Sequence, residues 1–332
     1  MKLNKVDYRL FNISIQNFVE SISENIDHSS IPKPILINGS KEDGVIDLVK
    51  EIASNYLCGN SDDCSATNCK ICIQVKKENY PDFHLIDNDL EDNIKSTDIE
   101  EYIVNKSHIS SVNPKGKVFS IINSNKMTAQ AMNALLKLFE EPMPGNIYIL
   151  SSNNLNKIPK TVVSRCDVFT IPNLSYNQFQ KTCVSELGIN DAKLLNKVWF
   201  IARGKIFLSD ILLNEISLAD EYMTDINNFI NFISSPMYKK IEFSNYYLDM
   251  VKNNYSKFLF LSEVTIHVIK DIIIDRHNKF ECDEITDHFK KILVKKSDFM
   301  CINIIDKLDS FDDYYEKNVN TSLILDNLIY SI

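Results

Sequence analysis

Apolar residues change their spacing near residue 172, and the change divides the sequence in two. Before it, short apolar runs alternate with helical patterns. Ile35, Leu36 and Ile37, bounded by Pro34 and Gly39, form a run too short for a helix and read as a buried strand. His84 to Ile86, Val118 to Ile122, Ile147 to Leu150 and Val168 to Ile171 read the same way. Between them, helical spacing predicts helices over 11–26, 45–57 and 127–140, the last ended by Pro142 and Pro144. Asn113-Pro114-Lys115-Gly116 predicts a turn before the third strand. Strands alternating with helices imply a parallel sheet covered on both faces. After Pro172 the strand signals stop, and 176–331 reads as helices with an internal break near 210–218. The expected layout is an α/β domain over 1–172, a small helical domain over 173–213 and an all-helical domain over 214–332. Phe229, Phe232, Tyr246, Tyr247, Phe258 and Phe260 sit at helical spacing and are expected in the core of the last.

Composition narrows the setting. Hydrophobic residues make up 44% and charged residues 24%, as in ordinary soluble proteins. No apolar run approaches the ~18 residues of a membrane-spanning helix. Met1 to Phe11 mix charged and apolar side chains, so no secretory signal is visible. A cytoplasmic protein with no membrane partner is expected. The net charge of −9 speaks against a protein whose main task is gripping phosphate backbones. Only Arg9, Arg165, Arg203 and Arg276 are arginine, and the other 32 basic residues are lysine. Each arginine is informative, because lysine cannot supply a planar two-pronged fork.

Cys58, Cys64, Cys69 and Cys72 fall within fifteen residues, spaced C-x5-C-x4-C-x2-C. In a reducing compartment such a cluster reads first as a metal site, and otherwise as unrelated thiols in a loop. Four thiolates would close a tetrahedral zinc site and leave no position for substrate, so the expected ion is structural zinc. The residues between are turn formers with no core of their own.

The stretch from Gly39 to Gly44 follows a strand and precedes a helix, with the glycine spacing of a phosphate-binding loop. Such loops continue with Lys and then Ser or Thr, which serve phosphate and magnesium. Here Val45 and Ile46 follow, while Glu42 and Asp43 add negative charge. The third strand ends in Asn123-Ser124-Asn125 rather than in carboxylates. The loop is degenerate, no ATP is expected in it, and no hydrolysis by this chain is expected.

Two later segments carry a family resemblance. Asn133-Ala134-Leu135-Leu136-Lys137-Leu138-Phe139-Glu140-Glu141-Pro142 resembles the N-A-L-L-K-x-L-E-E-P signature of clamp-loader ATPases, an AAA+ family. Ile158-Pro159-Lys160-Thr161-Val162-Val163-Ser164-Arg165-Cys166 resembles their L-P-T-[IL]-x-S-R-C segment. Tyr80-Pro81-Asp82 stands where the family has H-P-D, and 318–329 is similar to its closing helix. Recognisable motifs cover roughly residues 8 to 210. The resemblance implies a P-loop (AAA+-like) sheet domain with a zinc-binding insertion, a small helical lid and an all-α collar that joins subunits.

It also implies that Arg165 reaches the ATP site of an adjacent subunit as an arginine finger, with Ser164 positional. The implied partners are the ATPase (gamma/tau) and delta subunits of a clamp loader, and through them the sliding clamp and primer–template DNA. The chain departs from the family at Arg203-Gly204-Lys205-Ile206-Phe207, where active members carry a G-S-P-G-[RK] stretch, and in its wider cysteine gap. Two other readings are an active ATPase motor of the same family and a zinc-containing nucleic-acid-binding protein. Turnover by the isolated chain would favour the first, and tight, salt-sensitive DNA binding the second.

Overall fold

The computed structural model describes residues 10, 19–20, 22, 32–39, 43–58, 69–87, 93–278, 284–293, 296–316 and 319–331. It divides into two compact units, Met1–Gln178 with Gly204–Ile211, and Phe179–Arg203 with Leu212–Ile332.

The first unit is built on a five-stranded parallel sheet in the order β2-β3-β4-β1-β5. The strands are β1 (Ile35–Asn38), β2 (Phe83–Ile86), β3 (Lys117–Ile121), β4 (Asn146–Ser152) and β5 (Asp167–Thr170). All five fall where the apolar runs place them. β3 and β4 are buried along their whole length, as strands covered on both faces must be. β5 lies at the edge and alternates half-buried with exposed residues. In register, Ile35 sits beside both Ile149 and Asp167, so β1 joins the two halves of the sheet.

Helix α1 (Val45–Cys58) follows β1, and the short α2 (Lys70–Lys76) packs beside it, tied by Lys76–Glu51 at 3.3 Å and Lys50–Glu78 at 2.6 Å. Helix α3 (Ala129–Glu140) is capped by Thr128, whose side chain accepts from the Ala131 N–H at 3.2 Å. α3 buries Ala131, Met132, Leu135, Leu138 and Phe139 against a core that includes Phe119, Tyr148 and Leu150. A further helical stretch spans 96–107 in three short pieces and buries Ile99 and Ile103. The opening helix expected over 11–26 falls largely outside the described residues, of which 19, 20 and 22 are helical.

The Tyr80-Pro81-Asp82 motif fastens one end of the sheet. Asp82 is buried, and its carboxylate accepts from the backbone N–H groups of Val112 at 3.2 Å and Asn113 at 2.6 Å. The Asn113 amide donates in turn to the Leu57 carbonyl and the Tyr80 hydroxyl, both at 3.0 Å. Tyr56 donates to the carbonyls of Lys115 and Gly145. In the turn itself Gly116 (φ +117°) lies against Gly145 (φ +78°), and a Cβ on Gly116 would overlap the Gly145 carbonyl.

The second unit is helical, with Ala192–Ala202, Ile216–Ser234, Met237–Asn253, Tyr255–Asn278, Glu284–Leu293, Asp298–Glu316 and Thr321–Ser331. Its centre is aromatic: Phe229 meets Tyr247 at 5.3 Å and Phe258 at 5.5 Å, and Phe258 meets Phe311 at 4.6 Å. Two expected core aromatics are corrected. Tyr246 is exposed, because adjacent helical positions point about 100° apart and Tyr247 takes the inward one. Phe260 is only half-buried, with its edge against Tyr222.

Asp82→Ala leaves two backbone donors unpaired in a buried site, and should destabilise the protein by about 2–4 kcal/mol in urea unfolding. A loss under ~0.5 kcal/mol would contradict this role.

Candidate functional site

The glycine loop leaves the carboxyl end of β1. The Gly39 N–H donates to the Ser152 carbonyl at 2.9 Å, and a Cβ on Gly39 would lie 2.5 Å from Ile171 Cδ1. Residues 40–42 of the loop, Glu42 among them, lie outside those described. Gly44 accepts from the Leu48 N–H at 3.0 Å, which starts α1. Val45, in the place of the phosphate lysine, is fully buried (0% exposed) in the core. Ile46, in the hydroxyl position, is half-buried. Burial also raises Asp47, against the opposing pull of Lys50 and Lys76. The first turn of this helix therefore serves packing.

The end of β3 is a neutral hydrogen-bonded floor. Asn123 adopts a left-handed backbone (φ +56°) and donates its N–H to Ser151 Oγ at 3.2 Å. Ser124 Oγ donates to the Ser151 carbonyl at 2.8 Å, and Ser152 Oγ to Asn125 Oδ1 at 3.3 Å. Two amides and a hydroxyl stand where a metal-organising carboxylate would be needed.

Three of the four expected cysteines converge. Cys58 ends α1, Cys69 caps α2 and Cys72 lies in its first turn. Their sulfur atoms lie within 4.8 Å of one another, with Cys58 and Cys69 at 3.4 Å. Tetrahedral thiolate coordination at ~2.3 Å per bond separates sulfurs by roughly 3.8 Å, so the cluster fits a metal ion. The Cys72 backbone N–H, then the Cys58 thiol, lower the Cys69 pKa to about 7, favouring the thiolate that a metal requires. Cys64 lies outside the described residues.

Arg165 follows the short helix α4 (Lys160–Val163), and Ser164 caps that helix, donating from Oγ to the Thr161 carbonyl at 3.2 Å. Cys166 packs at the edge of the core, and burial pushes its thiol up to about 12. The Arg165 side chain is 40% exposed, with Nη2 2.8 Å from Glu140 Oε1 and Nη1 3.0 Å from the Thr161 carbonyl. These two partners lie on α3 and α4. Sequence reasoning gave Glu140 no role; its only signal was membership of the E-E-P motif. Arg203 is committed inside the helical unit, with Nη1 2.6 Å from Asp271 and its guanidinium 4.6 Å from the centre of Phe200.

A five-stranded parallel sheet with a glycine-bounded connection after its first strand, followed by the apolar Val45 and Ile46, defines an α/β domain. A family model described as DNA polymerase III, delta subunit matches residues 15–175. The delta-prime subunit of DNA polymerase III from Buchnera aphidicola subsp. Schizaphis graminum is 33% identical over 139 residues, 42% of this chain and 42% of that protein. The Bacillus subtilis delta-prime subunit is 29% identical over 150 residues, 45% and 44% of the two chains. A DNA polymerase III gamma subunit from Buchnera aphidicola subsp. Acyrthosiphon pisum is 27% identical over 203 residues, 58% and 54%. The chain spans about half the length of these curated relatives. Among solved structures, a gamma-subunit-related protein from Thermotoga maritima aligns with 94% of this chain and 97% of its own at 17% identity and a TM-score of 0.47. Residues 15–175 are thus similar to the DNA polymerase III delta-subunit family, with relatives among both delta-prime and gamma subunits.

Val45→Lys tests whether the loop is repairable by one residue. A buried ammonium should cost about 3 kcal/mol or more in urea unfolding, with no ATP turnover by the isolated chain. A stable, hydrolysing variant would contradict the packing role.

Proposed function

We propose that this chain is the non-hydrolysing stator subunit of an AAA+-like clamp loader, lending Arg165 in trans to a neighbour's ATP site during loading of a sliding clamp. The burial of Val45 carries the reading, since it removes the phosphate ligand from the chain's own loop. An exposed arginine after the S-R-C-like helix supplies the complementary half. Its guanidinium offers several donors to developing phosphate charge. The neighbours are clamp-loader ATPase (gamma/tau) and delta subunits, which bring the sliding clamp and primer–template DNA, in the cytoplasm. The functional partition follows the sequence: 1–172 as the degenerate P-loop domain, 173–213 as lid and 214–332 as the oligomerising collar.

Cys58, Cys64, Cys69 and Cys72 hold one structural zinc, which crosslinks the end of α1 to the start of α2. Metal analysis of purified protein should find about one zinc per chain, lost on Cys69→Ser with partial melting of the α1–α2 region. A folded, metal-free protein would remove this part.

Arg165→Ala should fold normally yet slow hydrolysis at the adjoining site of the reconstituted assembly by orders of magnitude, as loss of a trans arginine does elsewhere (~10³–10⁵). Unchanged turnover by the assembly would refute the finger role, and turnover by the isolated wild-type chain would restore the motor reading.

A further inference from the structure

The guanidinium of Arg165 rests on two acceptors of its own chain, a carboxylate on α3 and a carbonyl on α4. Glu140 is the last residue of α3, where the helix dipole disfavours a carboxylate, and Arg165 Nη2 sits 2.8 Å from it. Thr161, whose carbonyl takes Nη1 at 3.0 Å, belongs to α4, so the second arm is held by the helix that the arginine follows. Two of the five guanidinium N–H groups are thereby engaged. Both charged side chains remain exposed, 40% for Arg165 and 55% for Glu140.

From this geometry we infer that Glu140 is a positioning residue that parks Arg165 on its own surface until a more highly charged anion draws it away. The inference rests on the finger reading above. An ion pair this exposed biases the side chain by no more than about fivefold in population. A polyphosphate presents more charge and several oxygens, and can accept from both prongs of the fork. Once subunits abut, exchange of Glu140 for the neighbour's phosphates is favourable. Glu140 is then left in water, with no buried charge created. Glu140 thus acts on the resting position of the arginine and touches no reacting atom.

The test uses a reconstituted assembly with nucleotide-hydrolysing partner subunits, its ATPase titrated with this chain. Glu140→Gln keeps side-chain length and an amide oxygen but loses the charge. It should lower the half-saturating concentration of the chain two- to fivefold, with a plateau rate at or above that of the wild type. In an Arg165→Ala background the same change should do nothing, which a general effect on folding or docking would not reproduce. An unchanged half-saturation point, or a plateau lowered while Arg165 is present, overturns the parking role alone if Arg165→Ala still depresses the plateau. An Arg165→Ala plateau equal to the wild type overturns the finger reading and this inference together.

Discussion

A parallel sheet has no free face, and that requirement governs what the glycine loop can do. β3 and β4 are covered along their whole length, and β1 lies between β4 and β5. The helix that follows β1 must press onto the sheet from its first turn. In this chain its first residue is Val45, fully buried, and Leu48 one turn on is buried with it. The neighbouring strand ends are closed by uncharged hydrogen bonds among Asn123, Ser124, Asn125, Ser151 and Ser152. Apolar packing and neutral polar contacts meet at the carboxyl end of the sheet.

Much of the sheet domain was legible because its signals are local. Each strand is a short apolar run between turn residues, and the glycine loop and cysteine spacing are read along the chain itself. What stayed hidden depends on residues far apart in sequence. Asp82 could be quoted from its motif, but its acceptance of the Val112 and Asn113 N–H groups appears only when β2 is laid beside the later turn. Glu140 was a letter in a signature until α4 brought Arg165 back to it. The stretch over 96–107 has few buried residues to mark its period, chiefly Ile99 and Ile103, so its helical pieces leave little trace in the sequence. In the helical unit composition was a weaker guide. Tyr246 and Tyr247 are indistinguishable by type and separated only by the rotation of one residue.

Arginine is scarce in this chain, and Arg165 and Arg203 use it differently. Arg203 is spent on internal architecture, between Asp271 and the face of Phe200. Arg165 is held by surface contacts that water and salt can weaken. Of these two arginines, one is thus largely shielded from solvent and the other substantially open to it.

The back-to-back approach of Gly116 and Gly145 bears on how this sequence can drift. A side chain at Gly116 would meet main-chain atoms, so no resizing of a neighbouring residue could make room for it. Substitution here has no second-site remedy among the side chains. A Cβ on Gly145 would likewise meet the Lys115 carbonyl, so the turn that Asp82 grips rests on main chain against main chain, whatever side chains surround it.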